Sequence, residues 1–197
     1  MPKNYNSPLD GVSFEDIMSE VGSGSSAASV RPSRNGSSHS SGGSSEFRIV
    51  ENFGKLSNRK NAATFALVEW NGNERYDLRA WNEDYTVPFK GLTLSEEEVV
   101  LLAQALSDYV PQQYNKPFCE IDMGKTKAKI YCVITELSSA TKKGVVWNKQ
   151  VAIVDWGYGP KYDFRKWTKD YEKCSRGIGL TQSEIDTLLD ILDNLDL

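Results

Sequence analysis

Tyr162-Asp163-Phe164-Arg165-Lys166-Trp167 and Tyr76-Asp77-Leu78-Arg79-Ala80-Trp81 carry one string, Tyr-Asp-x-Arg-x-Trp, set 86 positions apart. The match extends both ways without a gap, from Ala66 through Leu106 against Ala152 through Leu192, with roughly a third of the aligned positions identical. Trp70, Asp84, Tyr85, Gly91, Leu94 and Glu98 recur as Trp156, Asp170, Tyr171, Gly177, Leu180 and Glu184. Identity concentrated at aromatic, glycine and charged positions marks a duplicated folding unit.

Each copy predicts the same order of elements. A strand ends at the first Trp, Asn71-Gly72-Asn73 or Gly157-Tyr158-Gly159 makes a turn, a second strand runs through the Tyr-Asp-x-Arg-x-Trp string, and a loop leads to a helix. Ser95 with Glu98, and Thr181 with Glu184, have capping-box spacing, in which the hydroxyl and the carboxylate satisfy N–H groups that a first helical turn leaves orphaned. Behind them Val99, Leu102, Ala103 and Leu106, and Ile185, Leu188, Leu189, Leu192 and Leu195, form apolar stripes at helical spacing. Both helices therefore need a partner face. Upstream, Phe47 to Leu56 aligns loosely with Ala128 to Leu137 and predicts one more strand per copy, followed by a longer loop in the second. Phe118 to Lys129 has no counterpart and reads as an extension of the strand after it.

These readings divide the chain into a tail (1–46), a first repeat (47–110), a linker (111–117) and a second repeat (118–197). From Gly22 to Ser45 the tail is dominated by Ser, Gly, Ala and Asn, a composition too poor in apolar surface to offset its ordering entropy, so it is expected to be disordered. Within residues 13–21, Phe14, Ile17, Met18 and Val21 fall at helical spacing behind Ser13. That segment reads either as a short docking peptide for a transcription or replication protein or as a frayed tail, since nine residues barely support a helix alone.

Composition excludes several classes. No run of about 18 apolar residues is present, so neither a signal peptide nor a membrane span is expected, and the compartment reads as cytoplasmic, nucleoid-associated in a bacterium. Cys119, Cys132 and Cys174 are odd in number and never in a Cys-x-x-Cys pair, which argues for reduced thiols without zinc or disulfides. His39, the single histidine, sits in the tail, and no nucleophile, metal or phosphate-loop motif appears, so neither enzymatic activity nor a cofactor is expected.

Alternation along a strand puts Arg75, Asp77, Arg79 and Trp81 on one face of the first copy, and Lys161, Asp163, Arg165 and Trp167 on one face of the second. If a helix covers the other face, this one is expected to lie open with cations beside indoles. That pairing suits single-stranded nucleic acid, because cations neutralise phosphates while rings stack on unpaired bases. Alternatively, the Trp residues are core and the Arg residues pair with Asp77 and Asp163. The net charge of -4 is no obstacle if charge is segregated. Acidic residues gather on the helices (Glu96, Glu97, Glu98, Asp186, Asp190, Asp193, Asp196), whereas the strand and loop part of the second copy is rich in Lys. Lys125, Lys127 and Lys129 alternate along a candidate strand, and Lys142 and Lys143 precede Trp147 in the longer loop. The Lys125 stripe also reads as a guard against sheet-edge pairing.

Residues 162–184, Tyr-Asp-Phe-Arg-Lys-Trp, Lys-Asp-Tyr-Glu-Lys and Arg-Gly-Ile-Gly-Leu-Thr-Gln-Ser-Glu, resemble the single-stranded DNA-binding domain of the transcriptional coactivator positive cofactor four, and within it the YdbC-like branch. Residues 76–98 resemble it less closely. The resemblance implies an α+β fold: two tandem copies of a curved antiparallel four-stranded sheet followed by one helix. Relatives dimerise through the helices, so two copies in one chain imply an intramolecular pseudo-dimer, a monomer with an internal pseudo-two-fold. It also implies single-stranded DNA binding with little sequence preference, with RNA as a second ligand, in support of transcription, replication or repair, and no catalysis. Carried over by position, the ligand-facing residues are Trp70, Arg79 and Trp81, and Trp156, Arg165 and Trp167; Arg75, Lys161, Lys173 and Arg176 join them as nearby cations. Basic residues that some relatives place after the first aromatic are replaced by Asn71 and Gly157. The loops before the helices also differ, 86–90 against 172–176, so unequal halves are expected, with most phosphate contacts in the second. The competing function is a protein-interaction scaffold or coactivator that works through protein contacts.

Overall fold

The computed structural model describes residues 47–196 apart from Thr86 and Lys125. The tail, its 13–21 segment and Lys125 of the basic stripe lie outside the described residues. Residues Ser45–Leu197 make one compact unit.

The unit is α+β, with two antiparallel sheets and two helices. Strands β1 (Phe47–Lys55), β2 (Ala63–Trp70), β3 (Asn73–Trp81) and β4 (Pro88–Leu94) pair in sequence order and lead into helix α1 (Glu96–Asp108). Strands β5 (Cys119–Asp122), β6 (Lys127–Lys142), β7 (Val145–Asp155), β8 (Pro160–Thr168) and β9 (Ile178–Leu180) do the same before helix α2 (Gln182–Leu192).

Local chemistry accounts for the turns. Asn71 (φ 49°) and Gly72 (φ 79°) bridge the facing residues Trp70 and Asn73, a two-residue turn whose two positive φ angles match strand twist. Lys143 (φ 51°) and Gly144 (φ 78°) do the same between Lys142 and Val145. The longer loop expected in the second copy is thus a hairpin arm: β6 and β7 stay paired out to Lys142 and Val145, and Trp147 lies in a strand. Two further expectations read from the residues are corrected. The segments assigned as loops before the helices contain β4 and β9, in which Gly91 and Gly179 stay in register opposite Arg79 and Asp163. The stretch 118–129 holds a separate strand, β5, which folds back on β6 with Asp122 opposite Lys127.

Ser95 and Thr181 are the N-caps of α1 and α2, as their spacing predicts. The Ser95 N–H donates to the Glu98 carboxylate at 2.9 Å, and the Thr181 N–H donates to Glu184 at 2.9 Å. The apolar stripes enter one continuous core that draws on both halves: Phe65, Leu78, Val99 and Leu102 from the first, Val151, Phe164, Ile185 and Leu188 from the second, all at 0–2% exposure. Each such side chain contributes roughly 1.5–3 kcal/mol on burial, so both halves contribute to the stability of one core.

The two helix starts also reach across. The Ser57 hydroxyl of the first half donates to Glu184 at 3.2 Å, and the Ser138 hydroxyl of the second half donates to Glu98. Arg59 adds an ion pair to Glu184, and Lys149 adds one to Glu98 at 2.7 Å. Residues that recur in the sequence, Leu-Ser at 56–57 and 137–138 and the capping glutamates, are thereby joined to each other reciprocally.

Candidate nucleic-acid interface

Alternation places Asp163, Arg165 and Trp167 together on the face of β8 away from the main core, where a second, smaller apolar cluster forms with Ala128, Ile130, Ala152 and Val154. The Arg165 guanidinium donates to Asp163 through Nε and through Nη2 at 2.7 Å, and the Trp156 indole N–H donates to the same carboxylate at 3.0 Å. The guanidinium lies 4.2 Å from the Trp156 ring centroid and 5.6 Å from that of Trp167, and the two indoles stack 5.8 Å apart at 12°. Arg165 Nη1 also reaches the Ser175 carbonyl at 3.4 Å. Burial works most strongly, to lower the Arg165 pKa, but the charge and hydrogen bond of Asp163 together with those of Cys174 outweigh it, and the net direction is up. Burial holds the Cys174 thiol above its ordinary range despite the Arg165 cation beside it.

The first sheet repeats the arrangement with different closure. Arg79 pairs with Asp77 and lies 5.9 Å from the Trp70 centroid and 5.7 Å from that of Trp81. Phe47 at the start of β1 covers both indoles, at 4.4 and 4.9 Å. Burial pushes the Asp77 carboxyl above the usual aspartate range, against the pull of Arg79. The recurring glycines have a shared physical cause. A Cβ on Gly91 would fall 1.9 Å from the Arg79 Cβ, and one on Gly177 would fall 2.4 Å from that of Arg165. The outer strand can lie beside the arginine only where no side chain intervenes.

This geometry corrects the expected open face. Trp70, Arg79, Trp81 and Trp167 are 0–5% exposed and are covered, so they present no ring or guanidinium to solvent. The core-and-ion-pair alternative describes them. Arg165 keeps 13% of its side chain exposed, and Trp156 is half-buried because β7 ends at Asp155 and leaves that indole in the turn. What closes the second face is the loop after β8: Tyr171 lies 5.7 Å from Trp167, and Phe118 meets Tyr171 edge-on at 5.7 Å. Sequence reasoning missed Phe47, Phe118 and Tyr171 as covers. The repeat flagged Tyr85 and Tyr171, and both adopt left-handed backbone (φ 55° and 62°) at the ends of turns closed by their N–H groups on the Asn82 and Thr168 carbonyls.

The remaining candidates separate into two groups. Arg75 is exposed and bonds the Glu74 carbonyl at 3.0 Å, away from the cluster, and Lys161 is half-buried. Lys127 and Lys129 alternate with buried Ala128 and Ile130 as predicted, but Lys127 pairs with Asp122 at 3.3 Å, and Lys129 faces Glu120 and Asp155 across the ladder. β5 covers this part of β6, and Lys129 is paired on both sides, so the strip is not a sheet edge and the edge-guard alternative does not describe it. Lys142 and Lys143 are exposed at the tip of the β6–β7 arm. The Lys169 N–H donates to the Val146 carbonyl at 3.1 Å, which ties the loop carrying exposed Lys169, Lys173 and Arg176 to the arm that carries half-buried Trp147. Lys169 is a cation of this group that sequence reasoning did not single out.

Among the described residues, no group of three or more His, Cys, Asp or Glu is placed to hold a metal ion, and no helix is long and apolar enough to cross a membrane. Fold and site together define an α+β protein of two antiparallel sheets, each with an arginine–aspartate pair set against two indoles. No family model matches the chain. An uncharacterised protein of Treponema pallidum (strain Nichols) is 38% identical over 64 residues, which are 31% of this chain and 75% of that protein. The chain belongs to the family of that treponemal protein.

Proposed function

We propose that this protein binds single-stranded nucleic acid, mainly DNA, without catalysis, through the basic end of its second half. The observation that carries this reading is the clustering on neighbouring segments of five exposed cations, Lys142, Lys143, Lys169, Lys173 and Arg176, beside the half-buried indole of Trp147. Asp170 and Glu172 share the loop, and the Asp170 carboxylate is held by the Thr168 hydroxyl and the Glu172 N–H. The cluster leaves a net positive rim on an otherwise acidic chain, with an aromatic face for a base. The motif resemblance described above supports the same ligand.

We also propose that the two halves form an intramolecular pseudo-dimer. The reciprocal Ser57–Glu184 and Ser138–Glu98 hydrogen bonds support it, as does the shared core. The treponemal relative, in which 64 matched residues make up 75% of the chain, has room for about one copy. Such a relative would have to pair between chains to complete its core, whereas this one pairs within itself.

Titration of a fluorescent single-stranded oligonucleotide at several salt concentrations, with duplex as competitor, tests the function. Five neutralised phosphates give a slope of log affinity against log salt near -3.5, from about 0.7 per phosphate. Absence of a saturable signal at low salt refutes strand binding. It would leave the scaffold reading, which adjacent Val100 and Leu101 (51% and 41% exposed) on α1 favour as a protein contact.

A further inference from the structure

Strands β1 and β6 are equivalent through the strands they pair with. Ile49 and Ile130 face Val68 and Val154, Glu51 and Cys132 face Leu67 and Ile153, and the register shifts fall at matching places, so Val50 and Phe53 answer to Tyr131 and Ile134. Each strand lies against the helix of the opposite half, and at the offset of the repeat Leu195 at the end of α2 answers to Tyr109 at the end of α1. On the α1 side the linker closes this corner. The Tyr114 hydroxyl bonds the Tyr109 hydroxyl, and its ring lies 5.7 Å from Tyr131. On the α2 side the corner is an open groove of about 260 Å³, lined by Phe53, Thr187, Asp190, Ile191, Asn194 and Leu195. Among the described residues Phe53 meets rings of its own sheet alone, Phe65 at 5.8 Å and Tyr76 at 6.1 Å, and Val50, in the place of Tyr131, is 40% exposed.

We propose that this groove docks an extended segment of a partner protein that carries an aromatic ring with a lysine or arginine close by. The ring follows from the counterpart corner, where residues 109–117, in neither helix nor strand, bring Tyr114 onto the equivalents of Val50 and Leu195. Phe53, Ile191 and Leu195 offer an apolar floor, and Leu195 has no hydroxyl for a tyrosine to bond, so phenylalanine fits as well as tyrosine. The cation follows from the charge on the wall. Asp190 lines the groove, exposed Asp186 and Asp193 stand on the same helix end, and none of the three has an ion pair among the described residues. The last turn of α2 has no basic residue, and the negative end of the helix dipole adds to the same field. A cation brought by the ligand would neutralise what this chain does not. The counterpart wall is different: Gln104 stands where Asp190 does, and its amide donates to Asp108 at 2.8 Å. Docking in this groove is independent of strand binding by the rim of the second half.

The test titrates the full chain with a free peptide of residues 110–117, Val-Pro-Gln-Gln-Tyr-Asn-Lys-Pro, blocked at both ends, and follows the backbone amides by ¹H–¹⁵N NMR. Saturable shifts are expected at residues 50–54 and 187–195. A peptide with Tyr114→Ala should bind about thirtyfold more weakly, the loss of an anchoring ring. A peptide with Lys116→Glu should bind about tenfold more weakly, because attraction to the helix end becomes repulsion. In the protein, Asp190→Asn with Asp193→Asn changes exposed side chains alone and should weaken binding about threefold while flattening its salt dependence. Absence of shifts at millimolar peptide overturns the proposal, as does full affinity in the alanine peptide or in the double variant. Shifts at Tyr109 and Tyr131 instead would mean that the peptide exchanges with the linker, and would overturn it as well. Movement of residues 50–54 and 187–195 with protein concentration alone would make a second copy the occupant and refute partner docking.

Discussion

Replacing Lys149 by Met should destabilise the protein far more than replacing Arg59 by Met, although both cations meet a capping glutamate of the opposite half. The reason is solvent. The Lys149 and Glu98 side chains are 13% and 9% exposed, so their attraction acts in a low dielectric. Removing the ammonium would leave Glu98 charged and buried with only the Ser138 hydroxyl and the Ser95 N–H, and would strip a donor from the Thr93 carbonyl, bonded at 2.9 Å. Breaking such a pair from one side costs about 3–5 kcal/mol. Arg59 is 60% exposed, so water already screens its end of the pair; Glu184 is 1% exposed but keeps the Ser57 hydroxyl and the Thr181 N–H and hydroxyl as donors, so the loss should be about 1–2 kcal/mol. At roughly 2–4 °C per kcal/mol for a unit of this size, Lys149→Met should lower Tm by about 6–20 °C and Arg59→Met by a few degrees. Urea unfolding followed by tryptophan fluorescence at pH 7 reads the difference as a shift of midpoint at constant slope. Equal losses in the two variants, or a Lys149→Met loss below about 1 kcal/mol, would refute the claim that burial sets the strength of these cross-half contacts.

Other outcomes follow from the same contacts. Burial works to raise the Glu98 pKa, but the Lys149 ammonium, the Ser138 hydroxyl and the Ser95 N–H hold it below the ordinary 4.5. Its stabilising contribution is therefore complete above pH 4.5 and is lost as pH falls through the depressed folded value, and Lys149→Met should move that acid loss to higher pH in a pH-resolved melt. Gly177→Ala should cost about 1–3 kcal/mol or more, since its Cβ would lie 2.4 Å from both the Arg165 Cβ and the Phe164 carbonyl. Gly179→Ala, with 3.9 Å of clearance, should stay within about 0.5 kcal/mol by the same thermal melt. Lys142→Gln with Lys143→Gln should flatten the salt slope of strand binding by about 1.4 without changing Tm, because each exposed lysine accounts for one phosphate at most. Trp167→Ala should lose about 3–5 kcal/mol of stability, because that indole is 0% exposed, so a stable, binding-defective Trp167→Ala would contradict its role in the small core.

The helices, their caps and the strands flanking the Tyr-Asp-x-Arg-x-Trp strings were legible because each rests on local periodicity or on hydrogen bonds three residues apart. β4 and β9 were not, since each carries a glycine, β4 begins at a proline and alternates only over Leu92–Leu94, and β9 is three residues long, too little for a strand pattern to show. The hairpin arm was hidden for a similar reason: Lys142-Lys143-Gly144 reads as solvated loop, yet Lys143 and Gly144 supply the two positive φ angles of a tight turn. The reciprocal bonds of Ser57 and Ser138 were also out of reach. Their recurrence beside leucine was visible, but nothing local says that each serine serves the other copy's helix.

The error about the indoles is the most instructive, because the alternation behind it was right. Asp163, Arg165 and Trp167 do share the face opposite the main core. The false step was to equate a face without a helix with a face in water. Register shifts interrupt β1 twice and β6 three times, and each extra residue bends its strand, so these sheets are open but curved. Rings on neighbouring strands then meet each other before they meet solvent, and one more aromatic, Phe47 in the first sheet or Tyr171 in the second, covers them. A guanidinium sealed in this way is neutralised by its own aspartate and has no charge to spare for a phosphate. Cations exposed to a polyanion must therefore sit where curvature does not bury them, on the turns and arm tips. Lys142, Lys143, Lys169, Lys173 and Arg176 occupy such positions, which makes contact along the rim of the second sheet, rather than across its hollow, the geometry to test first.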